Sequence, residues 1–289
     1  MTDLPAVVAV VGPTASGKSD LGIEIARAIG GEVVNADAMQ LYLGMDIGTA
    51  KVPESERQGV PHHLLDIWPV TERASVVDYQ RRAVTAVEDI RSRGRTPVVV
   101  GGSGLYVRAL LDHLHVPPTD PALRSELERE LAAVGSRMLH ARLHDADPAA
   151  AQVILPSNGR RIVRALEVVA LTGSFSATLP DGTYRWPGTL QIGLGVPDLA
   201  GRIEQRVVRM FEQGLVAEVR GLEAVGLRDA PTASRALGYA QVLADPATAV
   251  ASTVTATRRF ARRQRSWFRR DTRISWVDAP AAGRQLIGL

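Results

Sequence analysis

The chain has 289 residues, 45% hydrophobic and 22% charged, which supplies a sizeable core and excludes wholesale disorder. It contains no cysteine, which excludes a disulfide scaffold, a thiol nucleophile and any Cys-ligated metal. Net charge is only +3, the longest charge-free run (residues 4–17) is too short and proline-broken to span a bilayer, and no cationic leader precedes it, so a cytoplasmic location is expected.

Residues 6–11, AVVAVV, are a Val-rich run with a turn behind them and predict a buried strand of a parallel sheet. The loop GPTASGKS (12–19) follows, then a helical period to Ile29 and a Gly-Gly stop at 30–31. Residues 32–37 predict a second strand, and HHLLDI (62–67) a further short one. A helix is expected over 75–93, with Ser75 as N-cap and Gly94 as its stop. TPVVVGGSGLY (96–106) reads as a strand running into a Gly-rich turn and a helix. From about residue 113 strand signals vanish: 117–148 predicts two helices, 160–173 a third with a Gly stop, and 174–189 a loop. A strand at 190–196, helices at 198–213, 215–225, 233–244 and 247–270, and a strand at 273–277 complete the chain. Strand–helix–strand alternation predicts an α/β fold with a parallel sheet. The expected organisation is a core of residues 1–112 and 190–289 interrupted by a mostly helical insertion at 113–189.

Gly12, Gly17, Lys18 and Ser19 satisfy G-x-x-x-x-G-K-[ST], placed between a strand and a helix as a phosphate loop requires. The glycines permit the tight turn around Pro13. Backbone N–H groups of Thr14, Ala15, Ser16, Gly17, Lys18 and Ser19 can converge on a phosphate at the helix N-terminus. Lys18 adds a mobile cation, and the Ser19 hydroxyl can bind Mg²⁺. The predicted core is therefore P-loop NTPase-like. A motor-type NTPase would also need an apolar strand ending in a metal-binding aspartate. PVVVGG (97–102) ends in glycines, and only Asp66 offers such a group, so an ATP-driven switch is disfavoured. A transferase that stabilises a departing phosphate remains. Of 34 basic residues only Lys18 and Lys51 are lysine, and both fall in motif-like stretches.

Ligands of open α/β sheets bind beyond the carboxyl ends of the strands. Three such ends carry the phosphate loop, Asp37, and Ser103 with Arg108 one helical turn further on. Asp37 reads either as a general base or as the N-cap of a short helix at 38–42. Arg108 reads either as a neutraliser of a departing phosphate or as a surface cation. Arg202, Arg206 and Arg209 share one helix face, for which solvation is the expected account. Residues 258–273 hold eight arginines with Phe260, Trp267 and Phe268 among them; the aromatics are expected to anchor in the core. His62 and His63 point to opposite sides of a strand, with no third ligand apparent for zinc.

The motifs GPTASGKS (12–19), NADAMQLYLGMDIGTAK (35–51), PHHLLDI (61–67), GGSGLYVRAL (101–110), RRIVRALEV (160–168), RALGYAQ (235–241) and TRRFARRQRSWFRR (257–270) resemble, in order, those of the tRNA dimethylallyltransferase family. The resemblance implies transfer of a dimethylallyl group from dimethylallyl diphosphate to N6 of the adenine at tRNA position 37, just 3′ of the anticodon. It implies Asp37 as base and Ser103 as an RNA-bonding hydroxyl where the family usually has threonine. Lys18, Arg108 and a Mg²⁺ at Ser19 would stabilise the diphosphate. It carries tRNA contact over to Asp37, Ala38, Met39, Gln40, Ser103, Arg124, Arg160, Arg161, Arg164, Arg235, Gly238 and Tyr239. Ser157 and Asn158 stand where the family commonly has Asn-Asp, although Asn158 can still cap a helix. The implied partners are the tRNA anticodon stem-loop and dimethylallyl diphosphate, with no membrane; a monomer is expected. A small-molecule kinase, a prenyltransferase of free AMP, ADP or ATP, and a non-catalytic RNA binder are the competing readings. The insertion and the Arg-rich tail speak against a free-nucleotide substrate.

Overall fold

The computed structural model describes residues 4–176 and 182–288. The loop expected over 174–189 lies partly, at 177–181, outside the described residues. The chain forms two units, Met1–His113 with Tyr184–Leu289, and Leu114–Thr183. Residues 184–189 therefore belong to the first unit, where Tyr184 bridges Asp112 and Trp186 joins the core.

In the first unit six parallel strands lie in the order β3-β2-β4-β1-β5-β6: β1 Val8–Val11, β2 Glu32–Asn35, β3 His62–His63, β4 Pro97–Gly101, β5 Leu190–Leu194 and β6 Ile274–Val277. β1 sits between β4 and β5, with Val8 opposite both Val98 and Leu190. Its four residues are all buried because both faces of the sheet are covered. Val8 and Val10 pack under α1 (Lys18–Ile29) with Leu21 and Ile25. Ala9 and Val11 face α2 (Val76–Ser92) and α3 (Gly104–Leu111), with Tyr79, Val87 and Leu110. Ser75 caps α2 by accepting from Asp78 N, and Gly30 ends α1 at φ 65°.

The second unit is helical. α4 (Pro121–Ala146) is two helices in effect, broken at Gly135, whose φ is 81°. It is followed by a short α5 (Pro148–Val153), not among the expected helices although Asp147 caps it and Pro148 opens it, and by α6 (Gly159–Thr172). Asn158 does cap α6, accepting from Arg161 N at 3.2 Å. Leu127, Leu139, Ile162 and Leu166 form this unit's own core.

In the first unit the chain continues as α7 (Leu199–Glu212), α8 (Leu215–Glu223), α9 (Tyr239–Ala244), α10 (Ala249–Phe268) and α11 (Pro280–Gln285). The helix expected over 233–244 is not continuous. Ala233–Arg235 is a single 3₁₀ turn, and Gly238 at φ 87° breaks the path before α9. No helix is long and apolar enough to cross a membrane among the described residues.

Candidate active site

The phosphate loop leaves β1 at Gly12. Its φ is 139°, and a Cβ there would sit 2.6 Å from Leu194 O on β5, so only glycine fits. Ala15 (φ 62°) and Gly17 (φ 92°) turn the loop into α1. Thr14 N donates to Gln264 Oε1 at 2.8 Å, and the Ser16 hydroxyl is buried without a hydrogen-bond partner. Lys18 Nζ folds back to donate to Pro13 O at 2.6 Å. Lys18 and Ser19 line a cavity at the carboxyl ends of the strands.

The other walls come from the next strand ends. β2 supplies Asn35, Asp37 and Gln40, and β4 supplies Gly101 and Gly102. Asn35 holds the turn that presents Asp37: its side chain accepts from Asp37 N at 2.9 Å and donates to Asp37 O at 3.1 Å. Asp37 Oδ1 accepts from Met39 N at 3.0 Å. No helix forms over 38–42, so this bond caps a two-residue turn instead. Ser103 Oγ accepts from Ala38 N at 3.0 Å, tying the β4 end to the Asp37 turn. Gln40 is held by its own donation to Thr49 O at 3.1 Å. Met39 packs partly against the core. Val33, Val52, Leu65 and Val100 give the cavity an apolar side.

A further cation enters from α7. Arg206 lines the cavity and donates to Thr49 O at 3.3 Å. Arg202, one turn earlier, donates to Ala15 O of the phosphate loop at 2.9 Å. Arg202 and Arg209 are exposed, as expected of a solvated face, whereas for Arg206 that expectation is corrected. Because α7 follows β5, the neighbour of β1, it starts at the same sheet edge as the loop. Burial and the Arg206 guanidinium lower the Lys18 pKa to about 8, against an opposing pull from Asp37. Burial likewise lowers Arg206, and Asp37 opposes it. Lys18, Arg206 and Asp37 therefore feel one another directly.

Arg108 is not among the residues lining this cavity. Its Nε donates to Asp112 Oδ2 at 2.7 Å, and buried Asp112 also accepts from Arg273 at 2.7 Å. Asp66 does not end an apolar strand either; it pairs with Lys51 Nζ at 2.5 Å. Buried Lys51 also reaches Asp46 at 2.6 Å and Tyr42 O at 2.9 Å, stapling the 42–51 loop. His63 bonds Glu32 and His62 bonds Val60 O.

Of the expected tRNA contacts, Arg235 is exposed, while Gly238 and Tyr239 are buried and the Tyr239 hydroxyl donates to Glu218 at 2.5 Å. In the second unit Arg160 and Arg161 are exposed. Arg124 and Arg164 instead grip Glu167, which is fully buried. Arg164 also donates to Pro117 O at 2.7 Å and Pro118 O at 2.9 Å. α10 exposes Arg259, Arg262, Arg263 and Arg265, and Arg269 and Arg270 just past its end are exposed too. Of its aromatics Phe268 is buried, Trp267 is 36% exposed, and Phe260 lies under Arg263.

Among the described residues no three His, Asp or Glu side chains cluster as a metal site. The cavity does offer the Ser19 hydroxyl and the Asp37 carboxylate, the sparse oxygen set with which Mg²⁺ binds alongside substrate phosphates and retained waters.

The family model described as IPP transferase matches residues 40–271. A tRNA dimethylallyltransferase of Frankia casuarinae is 61% identical, over 97% of this chain and 99% of its own. That of Streptomyces coelicolor is 60% identical over 97% and 92%. Among solved structures, the full-length tRNA isopentenylpyrophosphate transferase of Bacillus halodurans has a TM-score of 0.68 at 40% identity, over 94% of this chain and 89% of its own. A eukaryotic dimethylallyltransferase acting on tRNA has a TM-score of 0.80 at 26% identity, over 97% and 77%.

Proposed function

The chain belongs to the IPP transferase family, and from that premise we propose how its own residues move a dimethylallyl group from dimethylallyl diphosphate to N6 of the adenine at tRNA position 37. One observation carries the reading: two cations and a carboxylate, Lys18, Arg206 and Asp37, share the cavity in which the phosphate loop ends. The backbone N–H groups of the loop hold the diphosphate at the N-terminus of α1. As the allylic C–O bond breaks, its electron pair leaves with the diphosphate. Lys18 and Arg206 meet that charge where it develops. We assign this role to Arg206 rather than Arg108, whose guanidinium serves Asp112.

The apolar side of the cavity, Val33, Val52 and Leu65, suits a five-carbon chain and excludes water from a cationic allylic carbon. The adenine leaves the anticodon-loop stack to reach it. Asp37 accepts a hydrogen bond from N6, and as the N6 lone pair forms the C–N bond the carboxylate takes the proton. Ser103 and Asn35 hold Asp37 in register for that step. Mg²⁺, held by the Ser19 hydroxyl with Asp37 nearby, would supply further neutralisation of the diphosphate. The exposed Arg160, Arg161, Arg235 and α10 arginines are assigned to the RNA backbone, whereas Arg124 and Arg164 shape the second unit by holding Glu167. The enzyme works with its tRNA in the cytoplasm.

The test uses labelled dimethylallyl diphosphate and Mg²⁺ without ATP, with unmodified tRNA in one tube and AMP in another. Label on tRNA alone is the expected result. Label on AMP would assign a free-nucleotide substrate and overturn the reading of the arginine faces. ATP consumption with a small alcohol, and no prenyl transfer, would return the loop to kinase chemistry.

A further inference from the structure

Gln264 is the one α10 side chain that joins the phosphate loop to the strand end beside it, and nothing in the proposed chemistry uses it. Its Oε1 accepts from Thr14 N at 2.8 Å, and its Nε2 donates to Gly102 O at 2.9 Å. The side chain is 6% exposed, so both amide ends are desolvated and both are satisfied. The fit is close. A Cβ at Gly102 would lie 2.4 Å from Gln264 Nε2 and 3.3 Å from Gly12 O, so Gly102 is glycine to admit this amide between two loops. One turn on, Trp267 covers Gly104, where a Cβ would lie 2.1 Å from its Cδ1. α10 thus seats on the β4–α3 turn through two side chains on one face.

Gly102 is followed by Ser103, which holds Ala38 N and with it the Asp37 turn. The bonded path therefore runs from Thr14 through Gln264 to Gly102, Ser103, Ala38 and Asp37. Its two ends are the diphosphate cradle and the proton acceptor. A neutral primary amide suits this task because it presents one acceptor and two donors on a planar group. Leucine presents neither, and a carboxylate would set an oxygen against Gly102 O.

We propose that Gln264 is a positioning residue for the transfer: by bridging Thr14 and Gly102 it sets the separation between the diphosphate cradle and the Asp37 carboxylate. The proposal rests on the prenyl-transfer reading above. Bond formation between two held substrates is sensitive to displacements of about 1 Å, which cost about 10²-fold. The gap between cradle and base is therefore where a lost bridge is felt, rather than RNA affinity, which belongs to the exposed arginines on the other side of α10.

The experiment compares wild type, Gln264→Leu and Gln264→Glu, with labelled dimethylallyl diphosphate and unmodified tRNA. Wild-type transfer is the control, and its absence would defeat the prenyl-transfer reading and not the bridge. For Gln264→Leu, kcat is expected to fall about 10²-fold with tRNA Kd within about twofold of wild type. A kcat within twofold of wild type, or a fall in tRNA affinity as large as the fall in kcat, would overturn the proposal. Gln264→Glu serves if the leucine variant does not fold. Its carboxyl keeps the acceptor for Thr14 and regains a donor for Gly102 only when protonated. The ratio of its kcat to that of wild type is therefore expected to rise as pH is lowered from about 8 to about 6, since burial raises a carboxyl pKa. A ratio independent of pH would overturn the proposal, because a filler of space responds to shape and not to the proton.

Discussion

Asp37 carries the sharpest consequence at the residue scale, because its carboxylate has no substitute among the cavity's side chains. Asp37→Ala is expected to lower kcat about 10²- to 10⁴-fold and leave tRNA Kd within a few-fold, measured by single-turnover transfer and gel shift. Equal losses in both would make it an RNA contact and not a base. Lys18 titrates at about 8 because burial and Arg206 press on its charge. The ammonium form, which binds diphosphate, is full below that value and is lost above it. The kcat/KM for dimethylallyl diphosphate should accordingly decline above about pH 8. Arg206→Ala should cost far more turnover than Arg108→Ala, which takes a partner from Asp112 outside the cavity lining; the reverse order would restore the assignment by spacing. These residues differ in how visible they are in sequence. The phosphate loop is contiguous, and Asp37 follows a strand directly, so both read off the chain. Arg206 does not, because its place depends on β5 lying next to β1, which no local pattern encodes. Arg108 has the right spacing from β4, but Asp112 one turn further claims it.

Among the elements, the second unit turns on Glu167 of α6. It accepts from Arg124, Arg164, Thr119 Oγ1 and Asp120 N, so it joins the start of α4 to α6. Burial alone would raise its pKa, but the hydrogen bonds from Arg124, Thr119 and Arg164 override it and hold it at about 2. Glu32, at the start of β2, is held at about 2 by hydrogen bonds from Arg93 and His63. Both sit below the ordinary 4.5, so their stabilisation is whole above that value and is lost as pH falls towards 2. Thermal melts should hold from neutrality to about pH 5 and drop steeply below about 4. Glu167→Ala should destabilise the second unit by about 3 kcal/mol, read as early loss of its helical signal or of hydrogen-exchange protection. Arg160→Ala, in contrast, should leave stability unchanged and lower the salt slope of tRNA binding by about one; an unchanged slope would remove it from the interface. The sequence presents Arg124, Arg160, Arg161 and Arg164 as one group. The structure divides them, because the partner that separates them is a buried carboxylate three residues along the same helix. α9 was hidden for a similar reason. Gly238 lies inside an apolar helical period, and only its positive φ reveals the break.

For the whole molecule, the alternation of Val-rich strands with helices made the parallel sheet legible, and the loss of strand signal after residue 113 made the helical segment legible. The strand order was not, since it depends on how helices such as α1 and α2 cover the two faces rather than on any strand's own residues. That order has a consequence for synthesis. β1 leaves the ribosome before the other five strands of the sheet, yet it lies at the middle, and its pairing runs from Val8 to Leu190 on one side. Until β5 emerges, one Val-rich edge of β1 has no neighbour, while β2 and β4 can already assemble on the other side. The nascent chain therefore carries an open sticky edge through most of its translation, the kind of intermediate that chaperones attend to. The same order delays function: Gly12–Ser19 is translated well before the Arg206 cation, which arrives after β5, and the Gln264 bridge comes later still, with α10. A ribosome stalled before that point releases a phosphate loop without the partners that complete it.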